Sequence, residues 1–456
     1  MLTADKARRR RDSSMATGNQ LQNVGQRTEK ADRQSAPAFR YRTAVVGLGY
    51  VGLPTALALH SAGHEVLGLD VSDARLGDIR TGRVDLLPSD HNRLAEAIGD
   101  EGRFDLVADA SRLAEADTVL ICVPTPIDHH LLPDLSPLAA ACRTVVAQAV
   151  PGQTLVLTST TYVGCTRDML VEPLRRRGLV VGSDVFVAFA PERIDPGNDK
   201  HVQRQVPRVV GGVTDECVRR TRRVLEDCAS FVYPVSSVET AELTKLYENT
   251  FRAVNISLAN EFADISRGLG LDVTEVIDAA ATKPYGFMAF YPGPGVGGHC
   301  IPCDPHYLLW QLRADRVSAP LIEATMQLVA GRPGKVVQRA LEILADRGRA
   351  LRGARILILG VAYKPGIADV RESPALEIID RLRAAGAEVS YADDFIPSLV
   401  TSDGELRRTE QPETMEWELV LAHTLHPGAD VSWLSRVPAV LDATYRLREF
   451  DNRAIL

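Results

Sequence analysis

Residues 43–70 read TAVVGLGYVGLPTALALHSAGHEVLGLD. An apolar run, a glycine turn, a helical stretch and a second apolar run follow one another without a break. Gly47, Gly49 and Gly52 form a G-x-G-x-x-G, and Asp70 ends the second apolar run. In that context each glycine has a task. The first allows the tight turn, the second lets a pyrophosphate approach the backbone, and the third packs helix on strand, with Tyr50 and Val51 completing the turn. The helix start adds a partial positive charge that favours an anion. A carboxylate at Asp70 accepts from both ribose hydroxyls and repels a 2′-phosphate, so NAD is predicted rather than NADP. Arg75 is read as stacking on the adenine.

Outward from this stretch the apolar runs recur, near 106 and over 118–123, 154–160, 184–190 and 207–212. They are continuous rather than alternating, which implies strands buried on both faces of a parallel α/β sheet. Residues 238–270 differ: a periodic stretch without proline closes at Gly268 and Gly270. It predicts one helix of about 30 residues, roughly 45 Å long, joining two domains and offering an apolar stripe to a second copy of the chain. From about residue 350, ARILILGVAYK starts a second strand and glycine turn, followed by AEVSYAD, ELVLAH and AVLDA. Only Gly360 stands where a full fingerprint has three glycines, so this unit need not bind a dinucleotide. The expected architecture is α/β: a Rossmann domain over 41–212, a central helical domain with a long connecting helix over 213–335, and a Rossmann-like domain over 336–456. Residues 1–40 are expected to be a disordered basic tail.

Composition limits the rest. Hydrophobic residues make up 45% of the 456 and charged residues 24%, as in a soluble globular protein. No apolar run approaches the ~20 residues that span a bilayer, and no apolar segment follows the cluster Arg8 to Arg11 as a secretory signal requires. Seven scattered cysteines argue for a reducing compartment, the cytoplasm. The first 40 residues carry nine Lys/Arg against four Asp/Glu. They are polar and lack interleaved aromatics, which reads as a solvated tail and not as a nucleic-acid site.

The second informative stretch is FYPGPGVGGHCIPCDPHYL, residues 290–308. Glycines and prolines crowd up to Cys300, making a backbone-lined loop that can present a thiol nucleophile, with Asp304 four residues on. Cys300 and Cys303 form a C-x-x-C, but no second such pair or H-x₃-H exists to complete a zinc site, and no metal is expected. Lys245 and Asn249 lie one turn apart on the predicted long helix, an ammonium and an amide suited to negative charge on oxygen.

GLGYVGLP (47–54), VPTP (123–126) with PDLSPL (133–138), the Ser159–Thr160 turn, PERIDPGN (191–198), AELTKLYENTFRAVNISLANE (241–261), PGPGVGGHCIPCDP (292–305) and GVAYKPGIADVRESP (360–374) occur in that order. Together they resemble the UDP-glucose/GDP-mannose dehydrogenase family. Residues 282–302 are most similar to the branch acting on UDP-N-acetylglucosamine or its mannosamine epimer. The resemblance implies an NAD-dependent oxidation of a UDP-sugar at C6, and the long helix implies a homodimer or higher homo-oligomer. It assigns Cys300 as nucleophile, Lys245 and Asn249 to oxyanions, Asp304 to water or the lysine, Glu192 as general base for thioester hydrolysis and Thr160 to a water. It places Arg75, Thr125, Ser159 and Arg371 near the cofactor, and Phe290, Tyr291, Gly297 and Lys364 around the nucleotide-sugar. Cys303 replaces an aliphatic residue usual in the family, and DATYR (442–446) departs from a common Asp-Thr-Arg-Asn.

Overall fold

The strands lie where apolar runs are bounded by glycine and polar turns. The computed structural model describes residues 39–84, 86, 88–193, 203–298 and 300–456. Most of the expected tail, and His299 in the cysteine loop, lie outside these residues. The first sheet contains β1 (Tyr41–Val46), β2 (Val66–Leu69), β3 (Phe104–Val107), β4 (Ala116–Ile121), β5 (Thr154–Leu157), β6 (Phe186–Phe189), β7 (Arg208–Gly212) and β8 (Val232–Val235). Among the described residues their order is β3-β2-β1-β4-β5-β6-β7-β8. Val45 on β1 faces Gly68 on one side and Leu120 on the other, both in parallel register. The chain reverses its direction of winding between β1 and β4, the place where an open parallel sheet leaves a crevice for a ligand.

Two features depart from the sequence reading. β6 and β7 pair antiparallel, and β8 pairs with β7 beyond residue 212, where the first unit was expected to end. The segment VYPV carries Pro234, which argues against a central strand. At the sheet edge the missing N–H costs no ladder bond.

The long helix runs Val238–Gly268, 31 residues or about 46 Å, starting where Ser237 Oγ accepts the Thr240 N–H at 3.1 Å. It packs on β7 through Val238 and Ala241, and its far end, with Ala263, joins Val336 and Ala340 of helix Pro320–Asp346 in the core of the second sheet. That sheet has β9 (Arg355–Leu359), β10 (Glu388–Ala392), β13 (Leu419–Ala422), β14 (Val440–Asp442) and β15 (Arg453–Ile455), all parallel in the order β10-β9-β13-β14-β15. Between β10 and β13 a hairpin of β11 (Ser398–Thr401) and β12 (Gly404–Arg407) stands apart. The described residues between 39 and 456 belong to one compact unit. Among the described residues no helix is long and apolar enough to cross a membrane.

Candidate active site

The glycine turn after β1 is built as its sequence implies. Gly47 has φ +87°, and a Cβ on Gly52 would lie 1.7 Å from the Gly47 carbonyl oxygen. A Cβ on Gly49 would meet nothing within 4 Å. The turn is therefore closed behind its first and third glycines and open at the second, the side a pyrophosphate needs. The helix Gly52–Ser61 starts directly on the turn, and Val51 gives it no side-chain cap, so the turn leads straight into a helix N-terminus whose partial positive charge favours an anion. Asp70 accepts the Leu48 N–H at 2.8 Å on one oxygen and the Ser72 N–H at 2.9 Å on the other. Each oxygen keeps a lone pair for a ribose hydroxyl. Arg75 folds back, its Nε donating to the Leu48 carbonyl at 2.9 Å. The residues present fit NAD.

The loops after β4 and β5 form the next wall. Ser159 Oγ donates to the Val123 carbonyl at 2.8 Å, and Thr160 beside it is half-buried. Thr125 precedes Pro126, whose carbonyl accepts from the phenol of Tyr307, a buried residue of helix Asp304–Ala314, at 3.5 Å. The loop of Ser159 and Thr160 is also tied to the long helix. Glu242, fully buried, accepts from the Gly164 N–H at 2.6 Å, the Thr166 N–H at 2.8 Å and the Thr166 hydroxyl at 2.6 Å. Burial pushes this carboxyl above its ordinary range despite those three bonds.

The cysteine loop closes the site from the other side. A Cβ on Gly297 would lie 2.6 Å from the Glu372 carbonyl oxygen, and the Gly298 N–H donates to the Arg371 carbonyl at 3.1 Å. The Arg371 guanidinium is held by Asp369 and sits 4.1 Å from the centre of the Tyr50 ring. The segment 363–372, which also carries the half-buried Lys364, thus touches both the glycine turn and the cysteine loop. None of the seven cysteines is in a disulfide; Cys300 is exposed and Cys303 buried. The Asp304 N–H donates to the Cys300 carbonyl at 2.8 Å, fixing Cys300 at the start of helix Asp304–Ala314.

Asp304, one helical turn from Cys300, gathers Lys245 and Asn249 of the long helix around its carboxylate. Lys245 is 8% exposed and Asp304 3%. Asn249 Nδ2 donates to Asp304 Oδ2. Burial raises the Asp304 pKa, and Lys245 and Asn249 pull it part of the way back, leaving it at about 6. A carboxyl that changes charge near neutrality, beside an ammonium and an amide, has the properties of a proton-transfer site.

Three expected residues have other neighbours. Glu192 forms a buried ion pair with Arg208 and accepts the Arg193 N–H at 2.8 Å. Tyr291 is exposed and donates its hydroxyl to Asp278 at 2.7 Å. Phe290 meets the ring of Phe251 edge-on at 6.0 Å. The sequence reading missed Glu242 and Asn260. Asn260 accepts the Gly293 N–H at 2.9 Å. Residues 242, 249 and 260 are spaced by two and three helical turns, so a polar stripe on one face of the helix was the available signal.

Comparison with known proteins agrees with this geometry. Residues 41–229 match the NAD binding domain of the UDP-glucose/GDP-mannose dehydrogenase family, 239–329 its central domain and 357–442 its UDP binding domain. The UDP-N-acetyl-D-glucosamine 6-dehydrogenase of Pseudomonas aeruginosa is 33% identical over 357 residues, 78% of this chain and 83% of that protein. The UDP-N-acetyl-D-mannosamine dehydrogenase of Pyrococcus horikoshii is 34% identical over 391 residues, 83% of this chain and 92% of that protein. The solved structure of the UDP-D-ManNAc dehydrogenase from Pyrococcus horikoshii has a TM-score of 0.82 at 30% identity, covering 91% of this chain and 98% of the other. Matched by all three domain models of the family and by relatives of this identity over most of its length, the chain belongs to the UDP-glucose/GDP-mannose dehydrogenase family and is an NAD-dependent oxidoreductase.

Proposed function

We propose that this chain is a UDP-sugar 6-dehydrogenase that oxidises the C6 alcohol to a carboxylate through a thioester on Cys300. The first choice of substrate is UDP-N-acetylglucosamine, followed by UDP-N-acetylmannosamine and UDP-glucose. The carrying observation is an exposed Cys300 at the start of the helix that carries buried Asp304, with buried Lys245 and half-buried Asn249 beside that carboxylate, together with a dinucleotide cradle open at Gly49.

NAD, when bound at Gly47, Gly49, Gly52 and Asp70, is the hydride acceptor for each of the two oxidations. Cys300 adds as thiolate to the C6 aldehyde carbon, giving a thiohemiacetal whose oxidation leaves a thioester. The Lys245 ammonium holds the charge that develops on the C6 oxygen. Asn249 has a second amide N–H for the same oxygen, since Asp304 takes only one. Thr160 holds the water, Glu192 takes its proton during hydrolysis with Arg208 as countercharge, and Asp304 supports the water or the lysine. The uronate product would serve as a precursor of a cell-surface polysaccharide. Seven cysteines without a disulfide suit a cytoplasmic enzyme. The long helix leaves Leu243, Tyr247, Phe251, Leu258, Phe262 and Ile265 exposed at helical spacing, and this stripe supports a homodimer.

NADH formation at 340 nm with UDP-N-acetylglucosamine, UDP-N-acetylmannosamine, UDP-glucose and GDP-mannose tests the reading. Two NADH per sugar from one UDP-sugar is the expected result. One NADH per sugar, or full turnover by Cys300→Ser, overturns the thioester route. Asp304→Asn should lose about 100-fold or more in kcat. The sign of its stability effect is fixed by the raised pKa. Such a carboxyl contributes most below its unfolded pKa of 3.8, and that contribution is lost as pH rises through about 6. At pH 8 the charged Asp304 is therefore a cost, on the order of 3 kcal/mol relative to acid, so its contribution to wild-type Tm should fall as pH rises through about 6. Wild-type kcat should fall as pH drops through about 6 and Asp304 takes up a proton.

A further inference from the structure

Arg332 is the largest fully buried side chain among the described residues, 2% exposed in the middle of helix Pro320–Asp346. The mechanism above makes no use of it. Each nitrogen of its guanidinium has a separate acceptor on a different segment. Nε donates to the Gly293 carbonyl at 3.0 Å, Nη1 to Asp264 Oδ1 at 2.8 Å and Nη2 to the Tyr445 hydroxyl at 3.3 Å. Gly293 opens the loop that leads to Cys300, Asp264 belongs to the long helix, and Tyr445 follows β14.

The grip on Gly293 is two-sided, because its N–H is held by Asn260 at 2.9 Å. Gly293 follows Phe290 and Tyr291, so this anchor governs the start of the loop. Its end is anchored separately, by the Gly298 N–H on the Arg371 carbonyl. The third partner is itself constrained. Tyr445 has φ +60°, the left-handed region that is rare for a bulky residue, and its hydroxyl donates to the Leu456 main-chain oxygen at 2.8 Å.

We propose that Arg332 is a positioning residue for the nucleotide-sugar side of the site, clamping the segment that enters the cysteine loop against the long helix and the C-terminal sheet. This rests on the function proposed above. Removing the guanidinium strands one group in particular. Asp264 keeps Lys335 as its ion-pair partner, and Tyr445 keeps Leu456. The Gly293 carbonyl loses the donor that Arg332 gave it, so the loss falls on the loop. A lysine at this position has one charged nitrogen and no planar fork, and it pairs with Asp264 without reaching all three acceptors.

The test uses Arg332→Met, which fills similar volume without leaving a buried charge unpaired. The expected result is a KM for the UDP-sugar raised about tenfold, with the KM for NAD within about twofold of wild type, since the glycine turn has no bond to Arg332. Arg332→Lys should fail to restore the sugar KM. Asn260→Ala, which releases Gly293 from its other side, should shift the same constant in the same direction. Hydrogen exchange on the substrate-free proteins reads the clamp without turnover: amides of residues 293–298 should exchange faster in both variants, and those of 47–53 should not. Unchanged loop exchange with an unchanged sugar KM in folded Arg332→Met overturns the proposal, as does a parallel rise in both KM values. Should Arg332→Met not fold, Asn260→Ala decides by the same two readings. Should wild type form no NADH with any sugar, the functional reading fails, and exchange still decides whether the clamp exists.

Discussion

The two glycine turns of this chain have nearly the same backbone and different uses. At the first, the Gly47 N–H donates to the Leu69 carbonyl at 2.8 Å and the next residue, Leu48, donates to Asp70 at 2.8 Å. At the second, the Gly360 N–H donates to the Ala392 carbonyl at 2.8 Å and Val361 donates to Asp393 at 2.8 Å. In both, the acid lies just past the neighbouring strand and ties the turn to it. The differences begin one residue later. Gly49 and Gly52 let a helix start on the first turn, whereas after Gly360 the chain wanders through 361–373 before its helix begins at Pro374. Asp70 is half-exposed, while Asp393 is buried and bonded to His426 at 3.0 Å. The second turn lacks the free helix start and the reachable acid. Its long loop instead supplies Tyr363, Arg371 and Glu372 to the cysteine loop and to Tyr50. A dinucleotide site is therefore made by an open helix start and a reachable acid beside the turn, and the turn itself is only scaffold.

Substitutions at matched positions would break or sharpen this contrast. The largest effect is expected from Gly360→Ala. The residue has φ +77° and its new Cβ would lie 1.8 Å from the Thr424 carbonyl oxygen. Loss of about 3 kcal/mol or more should show as a fall in Tm without selective loss of NAD affinity. Gly49→Ala should do the reverse. It meets no protein atom within 4 Å, so Tm should hold, and the KM for NAD should rise about 30-fold as the methyl takes the space of the pyrophosphate. A fall in Tm for Gly49→Ala would show that the open side of the turn is structural.

A smaller pair concerns the acids. Asp70→Asn should weaken NAD binding about tenfold by calorimetry, since one amide oxygen replaces a charged acceptor. Asp393→Asn should leave NAD binding unchanged and lower stability. Burial raises the Asp393 carboxyl, but His426 and the turn amides outweigh it and hold it below the usual carboxylate range. Such a group contributes stability above its unfolded pKa and loses it as pH falls through the folded one. The Tm gap between wild type and Asp393→Asn should therefore narrow in acid. The smallest effect is expected at Cys303→Val. The thiol is 2% exposed and burial pushes it up to about 12, so kcat and Tm should stay close to wild type.

Sequence alone determined the features that depend on near neighbours. The glycine turn with Asp70, the helix Val238–Gly268 and the placement of Cys300 beside Asp304 all come from spacings within one strand, one helix or one loop. Local rules of φ, capping and periodicity act over such distances whatever the rest of the chain does. Tertiary structure decided the features that depend on segments far apart. Pro234 became tolerable in β8 only because the sheet ends there. Glu192 met Arg208, and Glu242 met Gly164 and Thr166, through folding of one segment onto another. Arg332 reached Gly293, Asp264 and Tyr445 from 39, 68 and 113 residues away. An isolated arginine in a helical pattern has no local partner that reveals it. Its burial becomes favourable only when all three acceptors are assembled around it, and that assembly is written in the packing of the whole chain.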